Sequence, residues 1–224
     1  MYHILRRMAS SALSLLGFAA VVFAVVRIAW FFFGRHMTPG RLLREKYKFL
    51  VVLGSGGHTS EMLMMLKQFR EKMNRIDVTF LVAQSDSTSV PRIAAVLGDE
   101  FPHRVIRVPR IRHVGESVVW AVLRMPIVLA HSIKVVAHVD PDVLIVNGPG
   151  TCIPTILAAC IVQIFPLAFK RIFCVFVESF CRVKTISLSG KIAYPFVDKF
   201  IVQWPPSADI VRKYPRVIYR GPLL

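Results

Sequence analysis

The sequence predicts an α/β fold, a doubly wound parallel sheet preceded by a transmembrane helix. Three observations carry that prediction. From residue 49 onward, apolar strand-like runs alternate with segments of helical period. Two of those runs pass straight into glycine turns, Gly54-Ser55-Gly56-Gly57 and Asn147-Gly148-Pro149-Gly150. Ahead of them stands an apolar stretch, Met8–Phe33, interrupted by one charge, Arg27.

That stretch exceeds the roughly 20 residues a helix needs to cross a bilayer, and it is longer than the apolar core of a cleaved leader. Arg27 lies near one end, where it can snorkel to headgroups, and Trp30, Phe31, Phe32 and Phe33 suit an interfacial belt. Arg6 and Arg7 precede the run, whereas Arg35, Arg41, Arg44, Lys46 and Lys48 follow it. The heavier positive flank faces the cytosol, which puts the main domain there. The expected organisation is a tail over residues 1–7, an anchor over 8–33, a basic linker over 34–48 and one domain over 49–224.

Composition bounds the partners. A chain of 224 residues, 54% of them hydrophobic, holds one ordinary domain plus an added segment and is not a disordered basic tail. A formal charge of +16 points to a phosphorylated substrate, anionic lipid or nucleic acid. The basic residues are scattered and form no zinc-finger, RNP or basic-helix pattern, so no nucleic-acid partner is expected. Cys152, Cys160, Cys174 and Cys181 form no C-x-x-C pair, so they read as buried free thiols and no metal site is predicted.

The main domain opens with Phe49-Leu50-Val51-Val52-Leu53, a buried parallel strand. The glycines after it turn the chain sharply into a helix beginning near His58-Thr59-Ser60-Glu61. The free amides of such a helix start, with the positive end of its dipole, attract an anion. The third glycine of G-x-G-x-x-G is replaced by Thr59, and G-x-x-x-x-G-K-[ST] is absent, so neither a dinucleotide fingerprint nor an NTP-hydrolysing loop is present. His58, at the mouth of the sheet, can donate to phosphate or take a proton.

Met62, Met65, Leu66, Phe69 and Met73 form a core-facing helical stripe. A second strand, Asp77–Ala83, ends in a polar cluster that includes Asp86, at an edge where open α/β sheets bind ligands. A short helix over Pro91–Leu97 precedes a third strand, Arg104–Val108, and then Arg110 and Arg112. Ser117–Val139 is long and apolar, but it carries Arg124, Pro126, His131, Lys134 and His138, so it reads as a crossover helix partly pressed against a membrane rather than a second span. The fourth strand, Val143–Val146, enters the second glycine turn and Thr151, and a helix follows over Cys152–Ile164. A fifth strand ends at Glu178, a helix covers Thr185–Tyr194, and strands at Lys199–Trp204 and Val217–Tyr219 close the sheet.

With those residues in place, the chain resembles a known family. Gly54-Ser55-Gly56-Gly57-His58-Thr59-Ser60-Glu61-Met62, Asn147-Gly148-Pro149-Gly150-Thr151-Cys152, Val177-Glu178-Ser179 and Phe200-Ile201-Val202-Gln203-Trp204-Pro205 are similar, in order, to the membrane-anchored subunits of the eukaryotic transferase that adds the second N-acetylglucosamine to dolichol diphosphate. The resemblance implies the Rossmann-like, acceptor-side half of a GT-B glycosyltransferase split between two chains, set on the cytosolic face of the endoplasmic reticulum. It implies no cofactor and no metal, with the donor UDP-N-acetylglucosamine bound mainly to a soluble catalytic partner. About 175 residues after the anchor provide one Rossmann-like unit, so the chain alone should be inactive.

On that resemblance, the acceptor diphosphate and sugar would be held by Gly54, Ser55, Gly56, Gly57, Thr59, Ser60, Asp86, Arg110, Arg112, Asn147, Gly148, Pro149, Gly150 and Thr151. His58 is the candidate for orienting or deprotonating the acceptor hydroxyl, with a structural hydrogen bond as the alternative. Glu178 could serve the sugar or act as the base, or be a helix N-terminal carboxylate. Val217, Ile218, Tyr219, Leu223 and Leu224 are expected to hold the partner, because little of this chain remains to cover them. Two rival readings persist: a self-sufficient capsule-type membrane glycosyltransferase, and a non-enzymatic membrane scaffold.

Overall fold

The computed structural model describes residues 2–33, 46–69, 75–111, 115–148, 151–165, 171–221 and 223. Arg112, Pro149, Gly150, Leu224 and nearly all of the expected linker therefore lie outside the described residues. The elements in order are α1 (Tyr2–Phe33), β1 (Tyr47–Val52), α2 (Gly57–Gln68), β2 (Ile76–Ala83), α3 (Ser89–Leu97), β3 (His103–Val108), α4 (Val118–Val139), β4 (Val143–Asn147), α5 (Cys152–Ile164), β5 (Phe173–Val177), α6 (Leu188–Ala193), β6 (Lys199–Val202), α7 (Ala208–Lys213) and β7 (Val217–Tyr219).

The seven strands form one sheet in the order β3-β2-β1-β4-β5-β6-β7, and every pairing is parallel. Chain order reverses between β1 and β4, which opens a crevice at their carboxyl ends. The continuous apolar run of β1 has a simple cause, for both faces of that strand are covered. Leu50 and Val52 pack with α4, α5 and α6, while Val51 and Leu53 pack with α2 and α3. Burying each such side chain stabilises the fold by about 1.5–3 kcal/mol.

Several boundaries move for identifiable reasons. Tyr47 and Lys48 pair with Ile76 and Asp77, so the sheet starts inside the expected linker. The expected tail is helical from Tyr2 onward. Helix α3 starts at Ser89, two residues before Pro91, because Asp86 collects its first amides. Helix α6 starts only at Leu188, where the Ser187 hydroxyl accepts the Gly190 N–H at 2.9 Å, and a 3-10 turn over Tyr194–Phe196 closes it. Helix α7 is too short to show a period, and Ser207 caps it.

Helix α4 is the crossover between β3 and β4 and packs along α5. It contains a segment, Val119–Val139, that is long and apolar enough to cross a membrane. Arg27 does not reach outward. Its guanidinium donates to the carbonyls of Gln163 and Ile164 (3.1 Å to the latter), the orphan acceptors at the end of α5. Helix α1 is thereby tied to the main domain. Cys152, Cys160 and Cys174 are buried, whereas Cys181 is exposed, contrary to the expectation of four buried thiols.

Candidate functional site

The two glycine turns meet at His58. Gly56, at φ +68°, turns the chain into α2, and no side chain caps that helix. The N–H groups of Gly57, His58 and Thr59 are left without partners inside the helix, while Ser60 is the first residue whose N–H reaches a helical carbonyl. The Ser60 amide thus drops out of the expected anion cradle. Arginines surround the loop. Arg92 donates to the Gly56 carbonyl at 2.8 Å and to the Ser60 hydroxyl at 3.3 Å. Arg110 bridges the Ser55 hydroxyl (3.0 Å) and the Ser85 hydroxyl (3.3 Å), and Arg107 donates to the Asp86 carbonyl at 3.2 Å. Amide dipoles and guanidinium groups converge there, an arrangement that can attract an anion.

The second turn supplies the other wall. Gly148 has φ +88°, and its missing Cβ is where the His58 ring lies; a Cβ built there would fall 2.7 Å from the ring Cγ. Gly54 likewise leaves room for the His58 Cβ. His58 Nδ1 is 2.9 Å from Asn147 Oδ1, Asn147 Nδ2 donates to Glu61 at 3.0 Å, and the Ser179 hydroxyl donates to the other Glu61 oxygen at 2.9 Å. Glu61 thus ties α2 to the carboxyl ends of β4 and β5. It also sits 3.8 Å from His58 Nδ1. The Glu61 carboxylate raises the His58 pKa above its ordinary value; burial opposes this and Asn147 reinforces it. Burial would raise the Glu61 pKa, but bonding to His58, Asn147 and Ser179 outweighs it, and the carboxyl is held below its ordinary value.

Other expected site residues have different work. Glu178 is 1% exposed. One of its oxygens accepts the Ser179 N–H, and the other accepts the N–H and hydroxyl of Ser187 at the start of α6. The expected role as base or sugar ligand is corrected accordingly, since backbone donors occupy both oxygens. Asp86 is also buried, and it caps α3 through Thr88 and Ser89. Ser89 lies 2.6 Å from the Thr59 hydroxyl, which touches the Gly54 carbonyl. Asp86 and the Thr59 side chain therefore brace the glycine loop rather than bind substrate. Asn147 is fully buried and faces His58 and Glu61, and the Thr151 carbonyl accepts from Thr155 within α5.

Bracing by Asp86 has a measurable consequence. Burial would raise its pKa, yet the bonds from Ser89 and Thr88 win and lower it. Its contribution to stability is complete above the ordinary carboxylate pKa and is lost as pH falls through the depressed folded value. Asp86→Ala is expected to destabilise the chain by about 1–2 kcal/mol near neutrality, with the difference narrowing in acid, as read by thermal melting.

At the far edge, β7 pairs with β6, and among the described residues no strand pairs with its outer side. Val217 and Ile218 are half-buried, and Tyr219 is exposed. Leu223 is better covered than its sequence position implies. It packs against the α2 side of the core, its N–H donates to Gln203, and its carbonyl accepts from Gln68 at 3.0 Å.

Sequence reasoning missed Glu61, Arg92, Arg107 and Ser179 as members of the site. The one available signal was the i,i+3 spacing of His58 and Glu61, which sets both on one helix face.

Known proteins agree with this architecture. Among solved structures, Acinetobacter baumannii MurG superposes with a TM-score of 0.54 at 13% identity, over 79% of this chain and 45% of that one. The UDP-GlcNAc 2-epimerase of Neisseria meningitidis, bound to UDP-GlcNAc, gives 0.53 at 14% identity, over 79% and 47%. Such likenesses speak for the fold, and the chain spans about half the length of either protein. Among curated relatives, proteins named UDP-N-acetylglucosamine transferase subunit ALG14 are 35% identical in Mus musculus, over 91% of this chain and 94% of that one, and 40% identical in Schizosaccharomyces pombe, over 77% and 81%. The profile described as "Oligosaccharide biosynthesis protein Alg14 like" matches residues 49–223, and the chain therefore belongs to that family.

Proposed function

We propose that this chain is the membrane-anchoring, acceptor-binding subunit of a two-chain UDP-N-acetylglucosamine transferase acting on N-acetylglucosamine linked to dolichol diphosphate. A soluble partner supplies the donor-binding half at the cytosolic face of the endoplasmic reticulum. The observation that carries this reading is the uncapped start of α2, ringed by Arg92, Arg107 and Arg110 and directly followed by His58. A diphosphate suits the amides and guanidinium groups, and the sugar it carries then lies near the imidazole.

In this reading the neutral His58 takes the proton of the acceptor 4-hydroxyl. The new bond from that oxygen to the anomeric carbon forms as the bond from that carbon to the UDP phosphate breaks, and UDP leaves with the electron pair. The relatives' names support the donor and the subunit role. Val217, Ile218 and Tyr219 at the β7 edge, together with Leu224, are the proposed partner contact, whereas Leu223 packs against this chain's own core.

Helix α4 supports a bilayer-facing site. Val119, Trp120, Val122, Leu123 and Ile127 are exposed in its first half. In a parallel sheet, that half of a crossover helix lies at the carboxyl edge, where the glycine turns are.

The test is transfer of N-acetylglucosamine to a lipid-diphosphate acceptor by membranes carrying this chain, with and without the soluble partner. Activity is expected only with both chains. Adding Leu123→Glu and Ile127→Glu should raise the KM for the long-chain lipid acceptor several-fold without releasing the partner. Full transfer by this chain alone would instead favour a self-sufficient enzyme.

A further inference from the structure

Resting on the reading of His58 as the base, we propose that Glu61 and Asn147 are positioning residues that lock His58 in the tautomer with its proton on Nδ1 and its lone pair on Nε2. The argument starts from Glu61, which as a carboxylate can only accept hydrogen bonds. The Asn147 group facing it at 3.0 Å must therefore be the NH₂. That fixes the amide, so its oxygen faces His58 Nδ1 at 2.9 Å, and an amide oxygen requires a donor. The proton is thus on Nδ1. Among the described residues no group bonds Nε2, and it is left to meet a substrate hydroxyl.

The lock is well anchored. Asn147 is fully buried at the end of β4, and Glu61 is held from a second strand end by the Ser179 hydroxyl at 2.9 Å. The ring occupies the space that a Cβ would take at Gly148, and the His58 Cβ the space one would take at Gly54, so both glycines let the imidazole reach Asn147. Among the described residues the charged groups acting on His58 are Glu61 and, more weakly, Glu178; Asn147 and the two glycines are neutral. Glu61 therefore does two things: it orients the amide, and it supplies the charge that an imidazolium meets after proton transfer.

The experiment uses the full chain with its soluble partner. Nitrogen-15 histidine spectra identify His58 as the resonances lost in His58→Gln, and transfer is followed against pH. The wild type should carry its neutral-state proton on Nδ1. Asn147→Ala should lose that tautomer and lower kcat by about 10- to 100-fold, with the acceptor KM nearly unchanged. Glu61→Gln should move both the His58 titration and the acid limb of kcat to lower pH. If Asn147→Ala does not accumulate, Ser179→Ala, which frees one Glu61 oxygen, should weaken the tautomer preference in the same direction. Unchanged His58 tautomer and titration in Glu61→Gln and in either neighbour variant would overturn the lock. Full transfer by His58→Gln would instead overturn the base reading, while the spectra still decide the lock.

Discussion

His58→Ala is expected to lower transfer by about 10²- to 10⁴-fold while the partner still co-purifies. The loss has that size because the proposed anion site would remain: the α2 amides and Arg92, Arg107 and Arg110 do not depend on the imidazole. The fold should survive, since the ring is partly open to solvent and its removal leaves no closed cavity. A scaffold without catalytic chemistry would instead show unchanged transfer. The wild type adds a pH test. With His58 as the proposed base, transfer needs the neutral imidazole, so kcat should rise as pH passes through its raised pKa. Stability runs the other way. The imidazolium–Glu61 attraction is fully present below the ordinary histidine pKa and fades as pH rises through the folded value. Activity and thermal stability should therefore move oppositely with pH in that window, and His58→Ala should remove both dependences.

Gly148→Ala is expected to damage fold and chemistry together. At φ +88° an alanine is strained by about 1–3 kcal/mol, before any contact is considered. Its Cβ would also lie 2.7–2.9 Å from three ring atoms of His58, so the imidazole must leave the Asn147 oxygen. The expected result is a lower melting temperature and transfer nearly as weak as in His58→Ala. Gly57→Ala is the informative contrast. Nothing lies within 4 Å of a Cβ at Gly57, and its φ is not positive, so the chain should fold normally. Any rise there in the KM for the lipid-diphosphate acceptor reports how closely the ligand approaches α2. A stable, fully active Gly148→Ala would remove the packing of the two glycine turns through His58.

The sheet was legible because its strands are buried on both faces and so read as apolar runs, as in Leu50-Val51-Val52. The helix of Cys152–Ile164 was legible for a related reason, being buried over most of its length. Short elements were not. Six residues of α7 cannot display a 3.6-residue period, and Pro91 obscured a start that Asp86 sets upstream. At the site, Asp86 and Glu178 were drawn toward ligand roles because a carboxylate at a strand end can serve a substrate or a helix start equally well. Their partners, Thr88 and Ser89 for one and Ser179 and Ser187 for the other, make both structural. Glu61 is the opposite case: the sequence assigned it no role, yet it joins His58, Asn147 and Ser179.

Sequence alone determined the doubly wound sheet, the paired glycine turns and the histidine after the first of them. Those features rest on local rules: apolar patterning, backbone sterics and the free amides at a helix start. Tertiary structure alone decided which polar groups converge. Asn147 and Ser179 stand 86 and 118 residues from Glu61, and only the parallel register of β1, β4 and β5 sets them side by side. A hydrogen bond needs its partner within about 3 Å, and local preference carries no information about a neighbour so distant in the chain.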